Sequence, residues 1–233
     1  MSAGTPAAPA IGPDQLASLL ESRQNTLPRR LTAPGPTAGQ LAALIDAAAQ
    51  APDHARMQPW RFVRVTDGAR AALADAFEQA LAERRPDSSP DAIAQARDKA
   101  HRSPALLLAV VDAGQGAQAA AIPLSERLLS CGCAVQNLLL MATAQGFGSS
   151  LTSGQSLQSQ AVRALFGLRE TEQAVCFINI GTVLEAKPAR LRPTADALVT
   201  TLHAQDAPDT GNAQGSIPLA KLTPGLDTPS QAP

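Results

Sequence analysis

The sequence predicts one compact domain of mixed helix and strand, and three observations carry that expectation. ALLLAVVD (105–112) and QAVCFINIGTV (173–183) are continuous apolar runs of strand length, the pattern of strands buried on both faces. SERLLSCGCAVQNLLLMATAQG (125–146) is apolar nearly all round, so it reads as a long helix lying centrally. Hydrophobic residues make up 45% of the chain while aromatics make up 3%, so the core must be built from Ala, Leu and Val. Abundant alanine favours helices. Helices and strands alternate, but the order of strands in the sheet is not readable from this pattern.

The elements follow in chain order. Residues 1–13 are small and Pro-rich and read as a flexible lead-in. Asp14 is placed to cap a helix over QLASLLESR, with Leu16, Leu19 and Leu20 on one face. QNTLPRRLTAPGP is an extended loop punctuated by prolines. Thr37 with Gln40 three residues later forms a capping-box pattern that opens the helix LAALIDAAAQ. RFVRVT alternates and is β-branched, so it reads as a strand. Residues 69–84 and 91–101 read as helices, with the break PDSSP between them. Gly146 ends the long helix. FGSSLTS is a short strand or turn, and QSQAVRALFG a short helix, before the second buried strand. From Ala204 onward periodicity is lost, so the expected organisation is a tail (1–13), a domain (14–203) and a second tail (204–233).

Composition narrows the function. Charged residues are 17% of the chain and the net charge is −1, which gives no basis for nucleic acid or an anionic membrane as partner. Three cysteines argue against a disulfide framework and fit a reducing cytosol. MSAGTPAAPAIGPD lacks the basic start and apolar centre of a signal peptide, and no uninterrupted apolar run has the length of a membrane span. The expected setting is therefore cytoplasmic.

The densest stretch is APDHARMQPWRF, which holds the only Trp and one of three His within a Pro-bounded turn. With RFVRV continuing it, this stretch resembles the signature loop of the nitroreductase family, in particular its small bacterial NAD(P)H-dependent members. SRQNTLPRRLTAPGPT resembles that family's N-terminal flavin loop, CGCAVQNLLLMATAQGFGSSLTSG its central helix and following strand, and AVRALFGLRETEQAVCFINIGT its closing helix and strand. The match is ordered and runs from about residue 16 to 203. The resemblance implies an α+β fold with a mixed central sheet flanked by helices, dimeric with shared active sites, that binds FMN. It implies hydride transfer from NAD(P)H through the flavin to a nitroaromatic, quinone or similar small acceptor.

Carried over position by position, the resemblance sets Arg23, Gln24 and Asn25 where the family's Arg-Arg-Ser contacts FMN. An Arg there can fork onto the ribityl phosphate. Gln50 and His54 fall in the segment that reaches the flavin, often from the partner subunit. Met141, Ala142, Thr143, Ala144, Gln145 and Gly146 match the stretch assigned to the nicotinamide nucleotide. Leu151, Thr152 and Ser153 match a Trp-Arg-Ser flavin contact. Gln24 and the Leu151-Thr152 pair depart from that pattern and remove two cations, so Arg190 and Arg192, after the last strand, join Arg23 as candidates to offset the phosphate.

Other features have plainer readings. Trp60, opening a strand, fits a core anchor better than a flavin stack. Cys131 and Cys133 point to different helix faces and lack further ligands, so they read as small core residues rather than a metal site. Gly132 between them would let another backbone approach closely. The Gly146-Phe147-Gly148 turn follows a helix, where a dinucleotide fingerprint follows a strand. No G-x-S-x-G is present, and no residue is assigned as catalytic acid, base or nucleophile. The expectation is thus a homodimeric FMN oxidoreductase with a ping-pong scheme. Its rivals are a flavin-binding relative with different chemistry, such as dehalogenation or dehydrogenation, and a binding protein whose flavin site has decayed.

Overall fold

The computed structural model describes residues 11–185, 190–201 and 223–224. The chain divides into two compact units, Met1–Lys187 and Pro188–Pro233.

In the first unit α1 (Pro13–Ser22) starts with a proline at its first helical position, and Gly12, not the expected Asp14, is the cap. Pro13 pre-sets the first turn and needs no N–H partner, which moves the start two residues toward the N-terminus. The loop beyond contains β1 (Leu31–Thr32), a short strand that the proline spacing did not reveal. The Thr37–Gln40 capping box forms as expected and opens α2 (Ala38–Ala48): Thr37 Oγ1 accepts from Gln40 N, and Gln40 Oε1 accepts from Thr37 N. β2 (Trp60–Val65), α3 (Arg70–Arg84) and α4 (Pro90–Asp98) follow, α4 capped by Ser89. A 3₁₀ turn, Lys99–His101, then leads into β3 (Ala105–Asp112). α5 (Gly116–Ala121) has no counterpart in the sequence reading. α6 (Leu124–Ala144), β4 (Gly148–Thr152), α7 (Gln160–Leu165) and β5 (Glu172–Val183) complete the unit.

β5 organises the sheet. It pairs antiparallel with β3, β4 and β1, and β3 pairs antiparallel with β2 at the other edge. A single parallel bridge joins Asn25 to Ser149. The apolar runs of β3 and β5 are covered on both faces, as their composition requires. Leu107, Ala109, Ile178 and Ile180 meet α2 and α6 on one face. Leu106, Leu108, Val110 and Phe177 meet α3 and α7 on the other. Trp60 is buried in the first of these cores and donates its indole Nε1–H to Ser130 Oγ at 3.0 Å.

α6 lies centrally, but only one side of it is covered. Cys131, Ala134, Val135, Leu138, Leu139 and Ala142 are buried, whereas Leu128 and Leu129 are exposed. Gly132 meets nothing: a Cβ built on it would have no neighbour within 4 Å. The expected close backbone approach at Gly132 is therefore absent among the described residues. Cys131 packs in the core and Cys133 is half-buried on another side of the helix. α6 is the one helix among the described residues long and apolar enough to cross a membrane, and here it packs on the sheet as a core helix.

In the second unit, β6 (Thr200–Thr201) pairs antiparallel with β7 (Thr223–Pro224). The expected structureless tail thus contains a short strand. Most of residues 204–233, and residues 1–10 of the expected lead-in, lie outside the described residues.

Candidate active site

One group of the sequence-predicted residues gathers where α6 ends and β4 begins. Arg23 follows α1 directly, and the chain beyond it runs alongside β4: Asn25 bridges to Ser149, and Thr26 N–H donates to Ser149 O at 2.9 Å. Gln24 turns back on its own helix, its Nε2 donating to Glu21 O at 2.8 Å. Arg23 is half-buried, and its guanidinium makes no hydrogen bond or ion pair among the described residues. On β4, Ser149 and Ser150 are buried while Leu151 is 44% exposed. Thr152 Oγ1 accepts from Asn179 Nδ2 at 3.0 Å, and Ser153 is exposed.

The nucleotide-matching stretch is mixed in what it offers. Ala142 is fully buried in the core, so its side chain presents no surface to a ligand. Thr143 Oγ1 donates to Leu139 O, and Gln145 Nε2 donates to Gln40 O. Met141 is half-buried and Ala144 exposed. Gly146 has φ of +82°, the left-handed conformation that terminates the helix.

The second group lies at the other end of α6. Gln40, at the start of α2, meets Gln145 at the end of α6, so α2 carries Gln50 toward the beginning of α6. There His54 Nδ1 stands 2.9 Å from Glu126 Oε2, in the first turn of α6. The intervening loop is strained: Ala55, Arg56 and Gln58 all have positive φ, at 56°, 55° and 45°. Such conformations are costly for residues with a Cβ and cluster at functional sites. Asp53 Oδ2 accepts from Gln58 N and closes the loop on itself.

These two groups cannot meet within one chain. Seventeen residues of helix separate Glu126 from Thr143, roughly 25 Å at about 1.5 Å per residue. Arg190 and Arg192 are exposed and belong to the second unit.

The N-terminal group fits a flavin. A half-buried guanidinium with no partner among the described residues stands near a strand whose one exposed apolar residue is Leu151. Two buried polar atoms, Gln145 Oε1 and Ser150 Oγ, also lack partners there among the described residues. Sequence reasoning missed two features. Glu126, which holds His54, has no motif of its own. Arg84, Lys99 and Arg102 line a cavity beside Thr152 and Ser153, and the basic run RDKAHR (97–102) was the available signal.

Among known proteins, residues 23–182 match the profile of the nitroreductase family. A Haemophilus influenzae protein named "Putative NAD(P)H nitroreductase" is 34% identical over 168 residues, covering 72% of this chain and 88% of that one. The fold is that of a nitroreductase-like family protein from Bacillus cereus, with a TM-score of 0.68 at 19% identity over 88% of this chain and all of that one. It is also that of an iodotyrosine deiodinase solved with FMN and 3-iodo-L-tyrosine, with a TM-score of 0.58 at 20% identity over 77% of this chain and 95% of that one. With a profile match over most of the folded unit and a relative of this identity and coverage, the chain belongs to the nitroreductase family and is an oxidoreductase.

Proposed function

We propose that the protein is an FMN-dependent oxidoreductase that takes a hydride from NADH or NADPH and passes it to a small acceptor, working as a cytoplasmic homodimer with two shared sites. One observation carries this reading. The candidate flavin contacts stand at opposite ends of α6, and the same helix leaves Leu128 and Leu129 exposed between its buried positions. A second copy packed antiparallel on that face would bring His54 and Gln50 of one chain to Arg23 and Leu151 of the other. Apolar residues exposed on the open side of a core helix mark such an interface.

When bound, the flavin supplies the two-electron chemistry. The chain's own residues bind and orient. Arg23 places its guanidinium fork for the ribityl phosphate. Leu151 gives an apolar platform, and Thr152 and Ser153 give polar contacts at its end. Glu126 holds the His54 ring, and the strained loop fixes where that ring points. The stretch Met141–Gly146 would border the nicotinamide nucleotide through Met141, Ala144 and Gly146, the members that are not buried or committed. Nucleotide and acceptor would use one pocket in turn, a ping-pong scheme. With a nitroarene acceptor, one hydride and one proton enter, a nitroso product and water leave, and NAD(P)H becomes NAD(P)⁺.

The test is direct. The purified protein is expected to be yellow and to bleach under anaerobic conditions on addition of NADH or NADPH. A folded protein that stays colourless in excess FMN would overturn the reading.

A further inference from the structure

The cavity beside Thr152 and Ser153 has a composition that the flavin reading leaves unused. It measures about 280 Å³. Phe77, Leu106 and Phe177 form an apolar floor, with the two phenyl rings edge-on at 5.6 Å. Arg84, Lys99 and Arg102 line the same space, and no Asp or Glu among the described residues does.

The charges are not balanced. Arg102 is paired with Asp98 at 2.7 Å. Arg84 has neutral partners only: Ala80 O at 2.8 Å, Gln155 Oε1 at 2.7 Å and Ser156 Oγ at 3.4 Å. Lys99 makes no hydrogen bond or ion pair among the described residues. Two positive charges therefore face one small space without a counter-charge. Burial, with the nearby Arg102 and Arg84, holds the Lys99 ammonium below its ordinary range. An anion entering the cavity would relieve that repulsion.

We infer that this cavity is a binding site for a small aromatic carboxylate, its ring against Phe77, Leu106 and Phe177 and its anionic oxygens on Lys99 and Arg84. The floor selects for a flat apolar body, which a bare inorganic anion lacks, and the cations select for the charge. Arg84 is already oriented by its three neutral contacts, so little order has to be imposed on binding. Thr152 and Ser153 wall the cavity and also belong to the candidate flavin contact.

Isothermal titration of the full chain, with and without FMN, tests the site with three probes: 4-nitrobenzoate, the uncharged 4-nitrobenzamide and inorganic phosphate. The benzoate is expected to bind at least about tenfold more tightly than the amide, and to weaken as salt is raised. Lys99→Ala should cost the benzoate about tenfold, Lys99→Glu should abolish its binding, Lys99→Arg should retain it, and the amide should be unaffected. The Lys99 side chain makes no hydrogen bond or ion pair among the described residues, so these variants should keep the fold. Equal binding of benzoate and amide, or indifference to Lys99→Glu, overturns the inference. So does phosphate binding as tightly as the benzoate and competing with it, which would make this a phosphate site. Absence of FMN uptake sinks the flavin reading instead, and the same titration is then read on the FMN-free chain.

Discussion

His54 Nδ1 lies 2.9 Å from Glu126 Oε2, and that contact ties a strained loop to the first turn of α6. Both side chains are largely exposed, at 58% and 47%. A contact so exposed contributes at most about 1 kcal/mol. Its value is orientation. Three residues of the loop hold positive φ without being glycine, and a conformation of that kind persists only where its surroundings fix it. Glu126 also suits its position for a separate reason, since a carboxylate at a helix N-terminus faces the positive end of the macrodipole.

Glu126→Ala should therefore separate stability from binding. Thermal melting is expected to show a loss of no more than about 1 kcal/mol. FMN affinity, followed by quenching of flavin fluorescence, should fall several-fold because the His54 ring is no longer held. Unchanged affinity would mean that the loop does not reach the flavin.

Acid stability should be governed by Glu172. Its carboxylate is buried and receives Arg61 Nε at 2.7 Å, Arg61 Nη2 at 3.1 Å and Arg169 N–H at 2.9 Å. The Arg61 contact, aided by Arg169 and opposed by burial, holds its pKa down to about 2. The folded value lies below the unfolded one, about 4.3, so the carboxylate stabilises fully above that range. The contribution is lost as pH falls from about 4.3 through about 2, and it amounts to roughly 3 kcal/mol. Urea melts between pH 5 and pH 2 should show this loss in the wild type. Glu172→Gln should start about 3 kcal/mol lower at neutral pH and lose less on acidification. Parallel slopes for the two proteins would show that another group controls the acid limb.

Much of the fold was legible because its signals are local. Apolar runs of strand length gave β3 and β5, the Thr37–Gln40 box gave the start of α2, and Gly146 gave the end of α6. β1 and α5 were not legible. β1 is a strand only because two residues find Val183 and Thr182 on β5, a long-range pairing that leaves no period in the sequence. For the site, the resemblance named segments but could not tell that they sit at opposite ends of one helix. The contact of Glu126 with His54 and the convergence of Arg84, Lys99 and Arg102 are likewise products of packing. Residues 84 and 99 are far apart in sequence and meet only because α3, the turn after α4 and the loop after β4 close on one cavity.

Gly148 should tolerate no side chain. A Cβ there would stand 2.5 Å from Val183 Cγ2 and 3.0 Å from both Leu31 Cδ2 and Thr26 Oγ1. Gly148→Ala must push β1 from β5 or shift β4, at about 1–3 kcal/mol for overpacking. Gly132→Ala is the comparison: nothing lies within 4 Å, and removing a glycine from a helix interior favours the isolated chain by up to about 1 kcal/mol. Melting curves of the two variants should therefore move in opposite directions. Equal losses would point to a common backbone requirement instead.

Trp60 offers an internal probe, being the only tryptophan. It is buried, and its N–H is satisfied by Ser130. Trp60→Phe keeps most of the apolar contact but leaves the Ser130 hydroxyl, itself buried, without that partner, a loss of about 1–3 kcal/mol. In the wild type the indole emission should be blue-shifted and should move to the red in a single transition coincident with circular dichroism. An emission maximum typical of exposed indole in the folded protein would contradict the buried placement.

The proposed dimer turns on the open side of α6. Leu129 is 68% exposed, with Leu128 beside it, and α1, which packs on α6, leaves Leu16 and Leu20 exposed as well. Burying one such leucine contributes about 2 kcal/mol per copy. In a two-fold interface each substitution appears twice on a self-complementary patch, so Leu129→Arg places two desolvated like charges there. Leu129 is largely exposed in the single chain, so its fold should survive. Light scattering should give the wild type twice the chain mass of 24.0 kDa and the variant the chain mass itself. Because the proposed flavin contacts of one chain stand at opposite ends of α6, the monomer should also lose its colour while melting as a cooperative unit. A monomeric variant that retains FMN at full occupancy would mean that one chain suffices for the site, and the shared arrangement would fall.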